Sequence, residues 1–175
     1  MTRTNGFLGF ILISLSMFSL NAPAAPLAVG APATQISAMD QAGSTIPFAD
    51  IYAKGITLVY FYPKADTSGC TAEACSLRDA YEGLHAKGLQ ILGVSKDSVE
   101  AQKKFQENRK LPFTLIADPE GKVADAFHVP LIPVVGVTKR QSFLIKDGKL
   151  VWSSLSAQTS SAAQEVQKAL DSLTK

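Results

Sequence analysis

Ile56-Thr-Leu-Val-Tyr-Phe-Tyr62 is a run of β-branched, aromatic and leucine residues with no polar alternation beyond Thr57. A strand with one wet face alternates, so this run predicts a strand covered on both sides in a parallel or mixed sheet. Pro63 stops it. A polar turn, Asp66-Thr-Ser-Gly69, follows, and beyond it Leu77, Tyr81 and Leu84 recur at i, i+4 and i+7. That spacing predicts one helix over residues 70–86 with a single apolar face, closed by Gly88. Strand, turn and helix in this order form the first half of an α/β crossover.

Outward from that unit the alternation continues. Residues 89–94 read as a second strand, and Asp97 with Glu100 three positions later resembles a capping box opening a helix to about Arg109. A short strand at Thr114–Ala117, a short helix at 121–127, and a hairpin of 142–145 with 150–152 around Lys146-Asp-Gly-Lys149 come next. Ser161 and Gln164 are expected to cap a last helix, whose stripe is Val166, Leu170 and Leu173. Residues 25–54 are irregular and are expected to add a hairpin or an edge. The order βαβαβα then ββα implies a single α/β domain with right-handed crossovers.

The composition suits that reading. The chain has 175 residues, 46% hydrophobic and 18% charged, enough apolar material for one buried core. Its formal charge of +2 gives none of the concentrated basic surface that binds nucleic acid, so none is expected as a partner. Two histidines and two cysteines would all be consumed by one closed four-ligand metal site, and no metal is expected.

Residues 1–24 carry Arg3, an uncharged apolar run over 7–20, and Ala22-Pro-Ala24. This is the pattern of a secretory signal peptide cleaved after Ala24, leaving residues 25–175 as the domain. The fourteen-residue run is shorter than the roughly 17–25 residues that span a bilayer; a retained N-terminal anchor is the alternative. The expected location is the periplasm, with no stable membrane association after cleavage. In an oxidising compartment a cysteine pair becomes a disulfide unless something keeps reducing it.

Both cysteines lie just after the strand that ends at Tyr62, where reactive groups collect in open α/β sheets. In the first turn of a helix, Cys70 would sit among backbone N–H groups that lack intrahelical partners, which stabilises a thiolate and lowers its pKa. Thr67 can aim a hydroxyl at the same point, Pro63 rigidifies the loop and limits access, and Gly69 lets the backbone approach a ligand. A small buried apolar side chain is the alternative for Cys70, against which stands the polarity of the turn. Cys75, five residues on, would have its α-carbon roughly 8–9 Å away in an ideal helix, beyond the usual disulfide limit of about 7 Å. Bridging therefore requires the first helical turns to unwind. That favours a switching pair, although an ordinary helix cysteine remains the alternative for Cys75.

Phe61-Tyr-Pro-Lys-Ala-Asp-Thr-Ser-Gly-Cys-Thr-Ala-Glu-Ala-Cys75 closely resembles the peroxidatic segment of peroxiredoxins, with Pro63-x-x-x-Thr67-x-x-Cys70 as the family motif. A second cysteine five residues later marks the bacterioferritin comigratory protein, or peroxiredoxin Q, branch. Lys104-Phe105, Leu111-Pro-Phe113, Ala117-Asp-Pro119 and Arg140-Gln-Ser-Phe-Leu-Ile145 extend the resemblance from about residue 30 to the C-terminus. The resemblance implies a thioredoxin-like fold, a central mixed β-sheet flanked by helices, and a thiol peroxidase. It implies that Cys70 attacks the peroxide and becomes a sulfenic acid, and that Cys75 resolves it as a Cys70–Cys75 disulfide. It further implies that Thr67 and the backbone at Gly69 and Cys70 bond the peroxide, and that Arg140 supports the thiolate and the developing negative charge. The substrate would be hydrogen peroxide or an organic hydroperoxide, the reductant a thioredoxin-like or glutaredoxin-like protein, the cofactor none and the molecule a monomer.

Two other functions use the same cysteines: a peroxide-responsive redox sensor and a thiol–disulfide exchanger, the latter disfavoured by the C-x4-C spacing. Glu73 could bond the backbone or Arg140, or be a solvated carboxylate. Trp152 reads as packing, and His85 and His128 have no assigned role. Ser68 stands where the branch usually has proline and is expected to ease local unfolding or modestly alter peroxide affinity. Ala65 occupies a commonly acidic position, to which little is attached.

Overall fold

The computed structural model describes residues 25–173, so the expected signal peptide, residues 1–24, lies outside the described residues. In chain order the elements are β1 (Ser37–Asp40), β2 (Thr45–Pro47), α1 (Phe48–Tyr52), β3 (Ile56–Phe61), α2 (Ser68–Asp79), α3 (Tyr81–Ala86) and β4 (Leu89–Ser95). They continue with α4 (Val99–Arg109), β5 (Thr114–Ala117), α5 (Lys122–Ala126), β6 (Gln141–Lys146), β7 (Lys149–Ser154) and α6 (Ala162–Ser172). The seven strands form one mixed sheet in the order β2-β1-β5-β4-β3-β6-β7. β3, β4 and β5 run parallel, and every other neighbouring pair is antiparallel. The irregular N-terminal stretch supplies the expected edge hairpin, β1–β2.

β3 is central, and its side chains divide between two cores. Leu58, Tyr60 and the following Tyr62 pack with Cys70, Ala74 and Leu77 of α2, Phe105 of α4, and Val166 and Leu170 of α6. Val59 and Phe61 face the other way, onto Phe48, Val123, Phe127 and Phe143. Both faces being covered is why the run shows no alternation. On the second face the Phe61, Phe127 and Phe143 rings sit 5.4–5.9 Å apart, and burying each contributes about 1.5–3 kcal/mol. The hairpin turn uses Asp147 and Gly148 at φ 50° and 71°, the paired positive values that match the twist of the flanking strands.

Four expectations are corrected. The helix predicted over 70–86 starts two residues earlier, at Ser68, and breaks at Ala80, whose backbone (φ −95°, ψ 0°) separates α2 from α3. After the break Tyr81 stacks on His85 and tilts against Phe113. Asp97 does not cap α4: Ser98 does, accepting the Ala101 N–H at 3.3 Å. The Asp97 carboxylate instead accepts the Ala65 N–H at 2.8 Å and the Ser95 hydroxyl at 2.6 Å. Ser161 flanks α6 without a side-chain cap bond; Glu165 ties that end down by accepting the Ser154 hydroxyl and the Gln158 N–H. Finally, the second predicted strand continues one residue further, through Ser95. Among the described residues, no helix is long and apolar enough to cross a membrane.

Candidate active site

The site forms where β3 runs out. The Tyr62 N–H bonds the Val94 carbonyl, and the Thr138 hydroxyl donates to the Tyr62 carbonyl at 2.8 Å, so the chain enters the Pro63 loop from a fixed position. Thr67 is the residue before α2, in extended conformation, and its hydroxyl donates to the Lys64 carbonyl at 2.9 Å. That bond folds the loop on itself. The single hydroxyl proton is thus directed at Lys64, which modifies the expectation that it points at the sulfur position. Ser68, Gly69 and Cys70 are the first three residues of α2, and their N–H groups precede the first intrahelical bond, from Thr71 to Thr67. Cys70 is 2% exposed. The loop polarity therefore coexists with a buried sulfur.

Arg140 arrives from the strand next to β3. It immediately precedes β6, which pairs with β3 so that Gln141 lies opposite Phe61. This register delivers the guanidinium to the start of α2, where Nη2 donates to Cys70 Sγ at 3.3 Å. Nη1 donates to Glu73 Oε2. Glu73 lies one helical turn beyond Cys70, on the same face, and is fully buried. Of the two readings left open for it, the bond to Arg140 is the one found. Burial pushes its carboxyl up to about 8, against the downward pull of Arg140. For Arg140, burial opposes the charge, but Glu73 and Cys70 outweigh it and raise the pKa.

Beneath these groups Tyr60 is buried, and among the described residues neither its hydroxyl nor Glu73 Oε1 has a hydrogen-bond partner. Its pKa is driven upward first by burial and then by Tyr62, Glu73 and Cys70, so the phenol stays protonated. A β-carbon on Gly69 would stand 3.5 Å from Arg140 Nη2 and 3.6 Å from Thr159 Cγ2; the glycine is where the guanidinium and the 155–161 loop close over the helix start. Cys75 is half-buried on the same unbroken helix, and both thiols are free. The pair is thus separated by intact helical turns. Trp152 packs partly buried against the first core, and His85 and His128 each face a backbone carbonyl away from this site. The roughly 570 Å³ cleft lined by Gln35, Tyr52, Ile56 and Lys146 lies at the opposite, amino end of β3.

The model of the AhpC/TSA family matches residues 29–153. The chain belongs to this family. Within it the relatives are peroxiredoxins: peroxiredoxin Bcp of Bacillus subtilis is 40% identical over 130 residues, which cover 70% of this chain and 82% of that protein. Peroxiredoxin Bcp of Escherichia coli is 41% identical over 104 residues, 59% of this chain and 66% of that one. Among solved structures, peroxidoxin BcpB of Mycobacterium tuberculosis superposes with a TM-score of 0.77 at 29% identity, over 83% of this chain and 97% of that one. The bacterioferritin comigratory protein of Xanthomonas campestris, studied for its alkyl peroxide reduction activity, gives 0.76 at 25%, over 87% and 100%. These matches place the chain in the Bcp/PrxQ branch of the peroxiredoxins, thiol peroxidases with a thioredoxin-like fold. A peroxide substrate and a thioredoxin-type reductant follow for a peroxiredoxin in general.

Sequence reading missed three contributors: Tyr60 beneath the site, Asp97 on the loop backbone, and Thr159 above Gly69. Only Asp97 had a local signal, and its proximity to Ser98 disguised it as a cap.

Proposed function

We propose that this peroxiredoxin reduces hydrogen peroxide and organic hydroperoxides through Cys70, with Cys75 as the resolving thiol. The observation that carries the reading is Arg140 Nη2 at 3.3 Å from a Cys70 sulfur in the first turn of α2. The cation and the first-turn N–H groups of Gly69 and Cys70 are placed to receive the negative charge that develops on the peroxide oxygen. The sulfur attacks the terminal peroxide oxygen: an S–O bond forms, the O–O bond breaks, and the departing alkoxide or hydroxide takes a proton from solvent. Cys70 is left as a sulfenic acid. Thr67 shapes the pocket through its bond to Lys64 and offers its oxygen lone pairs as acceptors for the peroxide proton.

The start of α2 then unwinds and Cys75 attacks the sulfenic sulfur; the S–S bond forms and water leaves with the Cys75 proton. A thioredoxin-like or glutaredoxin-like dithiol returns two electrons and two protons, regenerating both thiols. Residues 1–24 act as an export signal, and the enzyme works as a periplasmic monomer, free of the membrane after cleavage.

Residues 25–175 are to be reduced, mixed with one equivalent of peroxide and quenched with an alkylating agent. Peroxide should vanish with loss of both thiols. Cys70→Ser should consume none, and Cys75→Ser should consume one equivalent and stop at the sulfenic acid. Peroxide consumption by Cys70→Ser at the wild-type rate would falsify the assignment. Export is read separately, by fractionating cells that express the full chain and the chain lacking residues 1–24.

A further inference from the structure

Both ends of α2 are held by one residue of α4. Just before α2, Asp66 accepts from Arg109 Nε at 3.0 Å and from Arg109 Nη2 at 2.8 Å through one carboxylate oxygen, and from Asn108 Nδ2 at 3.4 Å through the other. In the last turn of α2, Arg78 Nη1 donates to the Arg109 backbone carbonyl at 2.8 Å. That carbonyl is at the C-terminal end of α4, where helical C=O groups lack an intrahelical N–H donor and can accept such a bond. Cys70 and Cys75 lie between the two attachments. Asp66 is also in the left-handed region, φ 58°, a conformation that costs energy for a non-glycine residue and that its ion pair helps to hold.

We propose that Arg109 is a clasp that restrains α2 against the unwinding that brings Cys75 to Cys70, and so sets the rate of the resolving step. Anchoring a segment at both ends removes conformations it needs to open; releasing one end restores them. Slower opening prolongs the sulfenic acid. During that time a second peroxide can oxidise Cys70 to the sulfinic acid, its O–O bond breaking as a second S–O bond forms and water or an alcohol leaves. Arg109 thereby tunes how much peroxide the enzyme survives, as a positioning residue that touches neither substrate nor sulfur. The inference rests on Cys75 being the resolving thiol.

The test compares wild type with Asp66→Asn, Arg109→Gln and the double variant. Asparagine tolerates the left-handed backbone, and both positions are at the surface, so folding is retained. After a single oxidising equivalent, disulfide formation is followed by rapid alkylation and mass analysis. Each single variant should form the bond about two- to fivefold faster, the range expected for an exposed ion pair, and the double variant no faster than the singles, because one interaction is being removed. Sulfinic acid at high peroxide should fall by the same factor, and α2 amides should exchange hydrogen faster by it. Raising salt from about 20 mM to about 500 mM should speed wild type and leave Asp66→Asn unchanged. Second-order oxidation of Cys70 should stay within about twofold of wild type, since a surface pair worth this little barely depletes the folded state.

Unchanged disulfide rates in all three variants, or additive effects in the double, overturn the clasp. A wild-type chain that consumes peroxide without ever forming the Cys70–Cys75 bond overturns the resolving assignment instead, and the two failures are distinguished by the wild-type measurement alone.

Discussion

Arg140 lies between Glu73 and Cys70, donating to both through separate nitrogens. Removing the cation while keeping the apolar stem, as Arg140→Met, should lower the rate of Cys70 oxidation about 100-fold, the usual cost of losing one donor to a developing oxyanion. Stopped-flow mixing with peroxide measures it, and a loss below about threefold would show that the guanidinium is structural. Glu73 makes a different prediction. Its carboxyl is raised from 4.5 to about 8 by burial, so the folded chain holds a proton that the unfolded chain releases at lower pH. The associated stability is fully present below about pH 4.5 and is lost as pH rises through about 8. Wild type should therefore lose on the order of 4 kcal/mol between about pH 5 and about pH 9 relative to Glu73→Gln. Urea unfolding of both proteins across that range reads it; parallel curves would mean Glu73 is ionised throughout. The sequence offered the Glu73–Arg140 bond only as one reading among others, because the two residues are 67 positions apart and only the β3–β6 register joins them.

The elements that the sequence disclosed well are those whose own residues decide them. Thr114–Ala117 is found as expected, and β3 declares itself because both of its faces are buried. The α2–α3 break did not, since Ala80 is a good helix former and no proline or glycine stands at the interruption. The α4 cap was misplaced by one residue because Asp97 and Ser98 are both good caps, and only the fold spends Asp97 on Ala65. Cys70 in a first turn was legible because the turn residues before it end a strand and start a helix. Ser68 is the first residue of α2, and Thr67 before it is extended, at φ −79° and ψ 153°. Proline favours that first helical position and requires an extended residue ahead of it. Ser68→Pro should therefore stabilise the protein by about 0.4–1 kcal/mol and slow disulfide formation by about two- to fivefold. Thermal unfolding and the alkylation assay check the two parts, and identical values for both would remove Ser68 from any role in opening.

For the whole molecule, α2 carries both cysteines and is also a wall of the first core, to which it gives Cys70, Ala74 and Leu77. The proposed disulfide must spoil part of that wall. The oxidised protein should melt about 4–8 °C below the reduced one, as expected if unwinding forfeits about 2 kcal/mol in a domain of this size. Calorimetry on the two forms measures the difference, and an oxidised form that melts higher would show that the helix keeps its packing when the bond is made. α6, packed against α2, should share in the loosening, whereas the Phe48–Phe127–Phe143 side should not. Because both sulfurs belong to a single helix, closure of the proposed bond would be a unimolecular event. Dilution would leave its half-time untouched, no encounter between copies would be needed, and a scarce enzyme would close its bond as quickly as an abundant one.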